Sequence, residues 1–580
     1  MPLARHGKIN TGGLSLSITK QVLVMRSACE VPAQRERRNL MQTLRSGWSV
    51  LCLSALLLSC NRPSVGAGSY SLSLSAETLT LQPGQVGTIA VKLVGNTELA
   101  TPVLLSVRGA AGKALTGGIS GTIDPDVVVV KPATDTPATL RIITQAKTPA
   151  GDYQLAIIGR SDTEEEGAAL KLTVSGESPG WTRQLGTPTT DVLAAMATDS
   201  VGNVYVGMYT TGALDGKPNA GIFDGYLLKY RPTGALEFAT PIATTGSDVI
   251  NAITVDAQDN VYVAGHTFGT FPGQMNQGTS DGFVAKYGSS GQQVWVRQFG
   301  TSSIEQIFGV SVDPSGGVYV TGVTEGSFPG YTNAGQTDIV LTRFGSDGTP
   351  GWIYQLGTDQ QENAWGVATD ATGAAYVVGG TKGTLPGLNS QGGFDAYLLK
   401  VSADGKLAWS RQMGSNLDDQ LQAVLTDPSG AIYTAGWARG PFPGQIQAGS
   451  QDALLLRYTS DGVRTLARQF GTSYNDALFA ITRVGNSIYT AGSTRGGFAN
   501  QVPLGKDDLF VVRHDLDGSP AWLRQLGTTD SDTATAVAVT PDFLYLGGKT
   551  FGTFEGQTLL GDSDGLITQI AIGTTQAVQN

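Results

Sequence analysis

Asp313-Pro314-Ser315-Gly316-Gly317-Val318-Tyr319-Val320-Thr321-Gly322 reads as a tight turn that feeds a short apolar strand. Asp, Pro, Ser and Gly each favour turn geometry, and the Val-Tyr-Val run has the β-branched and aromatic character of a buried strand. Working outward, the same run recurs around Tyr205, Tyr262, Tyr319, Tyr376, Tyr433, Tyr489 and Tyr545, at a spacing of 57 residues that shortens to 56 near the end. A fixed period of this length marks a repeat architecture, in which one supersecondary unit is stacked many times.

Three further markers keep the same register. Gly-x-x-Asp occurs in every copy, at Asp224, Asp281, Asp338, Asp395, Asp452, Asp508 and Asp564. An acid stands at Asp191, Asp248, Glu305, Glu362, Asp419, Asp476 and Asp532. The motif Trp-x-Arg-Gln-x-Gly is looser: Phe238 and Leu466 replace the tryptophan, Tyr354 replaces the arginine, and Pro241 to Ala243 replace Gln-x-Gly.

Each copy predicts four short strands and no helix, because apolar runs alternate with clusters of Asp, Gly, Ser and Pro. In the third copy these strands are 307–312, 317–322, 338–344 and 351–356. A four-stranded unit that exposes both faces needs neighbours on each side, which makes it the blade of a propeller. The first copy of the tryptophan motif, at 181–186, precedes any inner strands, while the chain ends after 564–572 without an outer strand. The expectation is that these two halves join as the seventh blade.

The motif Asp-Pro-Ser-Gly-x-Val-Tyr-Val-x-Gly followed by Gly-x-Phe-Pro-Gly (313–330), with Asp-x-Phe-Val-x-Lys (281–286), resembles the seven-bladed β-propeller repeat abbreviated SBBP, found in bacterial envelope and secreted proteins. The resemblance covers about two thirds of the chain and implies an all-β, seven-bladed propeller of four-stranded blades. It implies little about activity.

The N-terminal region predicts a compartment. From Met41, the expected start, the chain carries Arg45, an apolar stretch from Trp48 to Leu58, and then Leu57-Leu58-Ser59-Cys60. This pattern reads as a signal peptide ending in a lipobox and resembles bacterial lipoprotein precursors, which implies lipidation of Cys60. The apolar run is shorter than the roughly 20 residues of a membrane-spanning helix. Asn61, where an inner-membrane retention signal would place Asp, implies the outer membrane or cell surface. Cys29, Cys52 and Cys60 are the only cysteines, so no disulfide is expected after processing. Residues 69–175 lack the repeat and alternate in strand fashion, predicting a small immunoglobulin-like β-sandwich as a spacer. The expected organisation is a start-site extension plus signal peptide at 1–60, a linker at 61–68, the sandwich at 69–175 and the propeller at 181–575.

Charge and composition limit the chemistry. The chain holds 38 basic and 48 acidic residues; residues 1–60 contain 8 and 2 of them, leaving 30 against 46 and a net charge of about −16. Such a surface is unsuited to nucleic acid. His266 and His514 are the only histidines beyond residue 60 and lie at different repeat positions, which excludes a His-rich metal site or a Cys–His nucleophile. Ser402-Ala403-Asp404-Gly405 with Trp409 resembles a sialidase Asp-box, but Asp and Gly are adjacent, so it reads as a turn. No catalytic residue is assigned.

Two residue sets remain as candidates. The acids Asp191, Asp248, Glu305, Glu362, Asp419, Asp476 and Asp532 begin the first strand of each copy; if that strand is innermost they ring a channel mouth, where calcium or a cationic ligand could sit. The competing reading is structural, with each carboxylate accepting backbone N–H groups freed by the turn. The second set is where copies differ. At the end of the second strand the aligned residues are Tyr209, His266, Val323, Gly380, Trp437, Ser493 and Lys549; three past the acid they are Ala194, Asn251, Phe308, Trp365, Gln422, Phe479 and Thr535. Of these, Tyr209, His266, Phe308, Trp365, Trp437, Phe479 and Lys549 are the candidate ligand contacts, on one face. The expected function is a lipid-anchored binding or scaffold module for a glycan or protein of the envelope. The alternatives are a carboxylate-dependent polysaccharide hydrolase or lyase and a purely structural surface protein.

Overall fold

In a computed structural model the chain is described at residues 70–81, 85–96, 101–109, 112–115, 118–144, 148, 151–174 and 179–572. The start-site extension, the signal peptide, Cys60 and the linker at 61–68 lie outside the described residues. Among the described residues there is no α-helix, and the architecture is all-β.

Residues 70–174 contain nine strands in two sheets around one core. One sheet runs in the order Tyr70–Leu74, Val86–Gly95, Asp135–Thr144, Ile119–Asp124; the other runs Thr78–Leu81, Glu165–Val174, Gly151–Arg160, Thr101–Gly109, Val127–Val130. Strand alternation decides which side chains face inward: along Val86–Gly95, Ile89, Val91 and Leu93 are buried while Ala90 and Lys92 are exposed. These meet Val103, Leu155, Ile157, Leu170 and Leu172 of the opposite sheet. Tyr70 closes one edge by donating its hydroxyl to the Gly159 carbonyl at 2.6 Å.

The repeats form seven four-stranded antiparallel sheets. Six follow chain order strand by strand, beginning at Asp191, Asp248, Glu305, Glu362, Asp419 and Asp476. In the third, the strands are Glu305–Val312, Val318–Thr324, Asp338–Phe344 and Pro350–Leu356, within two residues of the expected ranges. The seventh sheet joins Asp532–Val539, Phe543–Thr550 and Asp564–Ala571 to Pro179–Leu185 from the start of the repeat region. Thr182 and Thr568 share a buried hydroxyl contact of 3.0 Å across that join.

Packing between sheets is as regular as pairing within them. Apolar clusters fill the junctions of successive sheets: Tyr205 and Leu227 of the first meet Ile250 and Val263 of the second, and Leu193 and Tyr226 of the first meet Ala536 and Tyr545 of the seventh. The tryptophan motif ties the outer strands together. Trp295 Nε1–H donates to the Ser346 carbonyl at 3.2 Å and Arg297 Nε–H to that of Gly348 at 2.7 Å. Gly348 has φ +80°, and a Cβ there would lie 2.8 Å from the Trp295 ring, so turn geometry and close packing both demand glycine. Trp181 repeats this contact from the seventh sheet to the first, donating to the Pro232 carbonyl at 2.9 Å.

Candidate functional site

The marker residues are consumed by construction. Tyr262 and Tyr319 donate their hydroxyls to the turn carboxylates Asp256 (3.0 Å) and Asp313 (3.1 Å). The Gly-x-x-Asp carboxylates take backbone N–H groups of their own loop, as Asp452 does from Ala448 (2.7 Å) and Gly449 (2.9 Å). The motif glutamine spans both sides of the same loop: Gln469 Nε2 donates to Asp452 (2.9 Å) and to the Gly440 carbonyl (3.0 Å), while its Oε1 accepts from Phe442 N–H at 2.7 Å.

The seven acids that begin the first strands do not line an open mouth. Asp191, Asp248, Glu305, Glu362, Asp419, Asp476 and Asp532 are all fully buried. Each accepts the backbone N–H of the residue four positions earlier, from Thr187, Thr244, Thr301, Thr358, Ser415, Thr472 and Thr528, at 2.5 to 2.8 Å. Burial raises the pKa of all seven, that of Asp419 to about 6, against the opposing pull of these hydrogen bonds. A Gly-x-x-Asp carboxylate of the preceding sheet faces the acid at these junctions. Asp419 and Asp395 converge on Gly414, where a Cβ would lie 2.8 and 2.7 Å from them. Among the described residues no group of three or more His, Cys, Asp or Glu side chains is arranged to hold a metal ion. Of the two readings of these acids, their burial favours the structural one: depth within the sheet junctions, not exposure at a mouth, is what the repeat gives them.

The variable positions have a different setting. Ala194, Asn251, Phe308, Trp365, Gln422, Phe479 and Thr535 are each the extra residue of a β-bulge in the first strand of the sheet, skipped by the pairing with the second strand. A bulge re-aims the side chain it carries, here across to the next sheet. Asn251 Nδ2 reaches the Ile307 carbonyl at 2.7 Å, and Thr535 Oγ1 the Leu193 carbonyl at 2.6 Å.

Phe308, Trp365 and Trp437 are brought together over three successive sheets. The Phe308 and Trp365 rings meet edge to face at 4.8 Å. Trp365 Nε1–H donates to Gln420 Oε1 at 3.0 Å, and Gln420 lies directly opposite Trp437 in the strand pairing of the fifth sheet. All three aromatics are half-buried, and the Arg439 guanidinium sits 5.5 Å above the Trp437 ring. The other candidates do not join this cluster. Tyr209, His266 and Lys549 each meet an aromatic of their own copy, respectively Phe223 (5.6 Å), Phe268 (6.1 Å) and Phe551 (4.5 Å). Phe479 is half-buried at the bulge of the sixth sheet. Burial lowers the His266 pKa to about 4, so its imidazole is neutral at physiological pH, and it also lowers that of Lys549.

Gln420 and Gly380 were not among the sequence candidates. Gln420 packs over Gly380, where a Cβ would approach its Cγ to 2.9 Å. The signal for this recess was present in the aligned series, since Gly380 stands where other copies carry Tyr209, His266, Val323, Trp437 or Lys549.

Comparison with known proteins agrees with this architecture. Residues 180–214 and 294–329 match the model of the SBBP beta-propeller repeat. The regulatory protein FlaEY of Caulobacter vibrioides is 26% identical over 470 residues, covering 74% of this chain and 48% of that protein. An uncharacterized WD repeat-containing protein of Acanthamoeba polyphaga mimivirus is 21% identical over 435 residues, covering 59% of this chain and 30% of that protein. This chain thus spans half or less of the length of these relatives. A quinonprotein alcohol dehydrogenase-like protein of Bacteroides thetaiotaomicron matches 77% of this chain and 94% of its own, at 10% identity and a TM-score of 0.32. The repeat matches, taken with the succession of four-stranded sheets, support a β-propeller family for this chain.

Proposed function

We propose that the chain is a ligand-binding module of the cell envelope, built as a seven-bladed propeller on an immunoglobulin-like spacer and anchored through lipid on Cys60. The blade count is supported by the seven four-stranded sheets, by the antiparallel pairing of 179–185 with 564–571, and by the apolar cluster between the first and seventh sheets. The spacer reading is supported by the two sheets that share one core in residues 70–174. The anchor rests on the Leu57-Leu58-Ser59-Cys60 motif.

The observation that carries the binding reading is the contrast between the two repeated position sets. Polar groups kept in every copy are buried and internally bonded, so they are spent on the scaffold. The positions that vary hold half-exposed aromatics in contiguous copies, and an asymmetric ligand requires such a break in symmetry. The FlaEY relative is named as a regulatory protein, a role that a propeller would serve by binding. The burial of the seven acids removes the observation on which a hydrolase or lyase reading rested.

The test compares wild type with a Trp365→Ala/Trp437→Ala variant on arrays of envelope polysaccharides and peptides, after denaturation curves establish that both are folded. Loss of a wild-type interaction in the folded variant supports the reading. Undiminished binding by the variant refutes it.

A further inference from the structure

Resting on that reading of the variable face as a binding face, we propose that the recess between the fourth and fifth sheets takes an uncharged, hydroxyl-bearing oligosaccharide. Gly380, Trp365, Gln420, Gln422 and Trp437 form the subsite.

The recess exists because Gly380 has no side chain at a position that projects a large group in most other copies. Gln420 fills the space from the next sheet, and its orientation is decided by its partners. An indole N–H can only donate, so the atom that receives Trp365 Nε1–H must be the amide oxygen. Gln422 Nε2 donates to that same oxygen at 3.3 Å. The Gln420 amide nitrogen is left with two N–H donors and no hydrogen-bond partner among the described residues, and it is not one of the buried unpaired polar atoms, so in a residue only 8% exposed the amide nitrogen is the end that reaches solvent. With its oxygen fixed by Trp365 and Gln422, the amide presents both donors in one direction to a ligand that supplies an acceptor.

The surroundings select the class of acceptor. Trp365 and Trp437 flank Gln420, the first through its hydrogen bond and the second as its cross-strand neighbour, whose side chain shares the same face of the sheet. Flat apolar rings beside fixed amide groups match the two-sided chemistry of a pyranose, whose C–H face stacks while its hydroxyls accept and donate. The flanking charges are already neutralised: Arg439 bonds Asp418 at 3.0 Å and covers Trp437. No charge at the Gln420 amide is left over for a carboxylate or sulfate group, and the acidic chain as a whole repels polyanions. Gln422 contributes its amide oxygen as a hydroxyl acceptor, since its nitrogen is engaged with Gln420.

The test is native affinity electrophoresis through gels containing neutral glucans, mannan or xylan, or polygalacturonate, with a peptide array run alongside. Gln420→Met keeps the side-chain volume while removing the amide; Trp437→Ala removes a stacking ring; Trp409→Ala, at a scaffold position, is the control. The expected result is retardation in at least one neutral polysaccharide, weakened tenfold or more in apparent Kd by Gln420→Met and by Trp437→Ala but not by Trp409→Ala. Circular dichroism melts identify any variant that fails to fold, and Gln420→Met then serves alone. Retardation by neutral polysaccharide that both site variants leave unchanged overturns the subsite. Binding that depends on Trp437 but is confined to polygalacturonate overturns the assignment of an uncharged ligand, and binding confined to peptides overturns the carbohydrate assignment, each while keeping the face. No binding that depends on Trp437 to any of these probes overturns both.

Discussion

Substituting Asp419 by Asn tests whether the acids at the sheet junctions are held against their ionisation. Asp419 is fully buried, and burial lifts its pKa from the ordinary 3.8 to about 6, with Asp395 across the junction adding to the rise. One oxygen of each carboxylate, Asp419 Oδ1 and Asp395 Oδ1, has no hydrogen-bond partner. The sign follows from linkage. Below about pH 3.8 the group is protonated whether the chain is folded or not, and it costs nothing. As pH rises toward 6 the unfolded chain releases the proton while the folded chain keeps it, so stability falls, and above 6 the loss is complete. A difference of about two pKa units corresponds to about 3 kcal/mol. Asparagine keeps an oxygen for the Ser415 N–H, which donates at 2.5 Å, and cannot ionise. The assay is urea denaturation of wild type and Asp419→Asn at about pH 4 and about pH 7.5, on either side of the shifted pKa. The expected result is a stability difference that shifts in favour of the variant by up to about 3 kcal/mol between the two pH values. Packing effects of the substitution are common to both pH values and cancel. A difference that does not change with pH would refute the argument, since it would mean that Asp419 ionises in the folded chain as readily as in the unfolded one.

Four further outcomes are expected. Trp295→Ala should lower stability by about 3 to 5 kcal/mol in chemical denaturation, because its ring is 8% exposed and packs on Gly348, whereas the half-buried Trp352 should lose less. Deleting residues 179–185 should destabilise the repeat region as a unit, since it bares the edge of 564–571 and removes the Trp181 contact to Pro232; a truncated protein melting at an unchanged temperature would refute this. Cys60→Ser should move the protein from the membrane fraction to the soluble one, as each buried acyl methylene contributes roughly 0.8 kcal/mol, and an unmodified mature terminus away from Cys60 would refute the anchor. His266 should show no imidazole titration by NMR between about pH 6 and 7, because burial holds its pKa near 4.

The repeat was legible in sequence because its markers do local work. Tyr319 and Asp313 lie six residues apart and bond each other, and Asp452 serves N–H groups three and four residues before it, so these spacings are written directly in the chain. The third copy's strand ranges came within two residues for the same reason: turns built from Asp, Pro, Ser and Gly bound every run. The acids were harder to read. A residue repeated at each strand start looks the same in sequence whether it faces a channel or a sheet junction. What separates the two is the approach of a second carboxylate from the preceding copy, Asp395 for Asp419, which depends on how sheets stack. The bulges were not legible either, although they decide where Phe308 and Trp365 point, because an extra residue in one strand leaves no mark in the composition of that strand.

The recess at Gly380 shows why a search for large side chains alone passes over the most informative position. In a succession of near-identical sheets, one added aromatic enlarges an existing surface, but one missing side chain opens space that the neighbouring sheet must fill or leave to a ligand. Gln420 enters that space and is then oriented by Trp365, so a single glycine fixes the direction of an amide one sheet away. The third sheet supplies the contrast. Gln306 occupies the position aligned with Gln420, but the sheet before it presents His266 where the fourth sheet presents Gly380, and the bulge residue there is Asn251, which bonds the Ile307 backbone instead of an amide side chain. Refilling the recess should therefore be as informative as removing a tryptophan. Gly380→Val restores the branched side chain that the third copy carries at Val323, and its Cγ atoms would displace the Gln420 side chain. The expected outcome is retained folding with loss of the Trp437-dependent interaction. Retained binding by Gly380→Val would mean that the ligand does not use the recess.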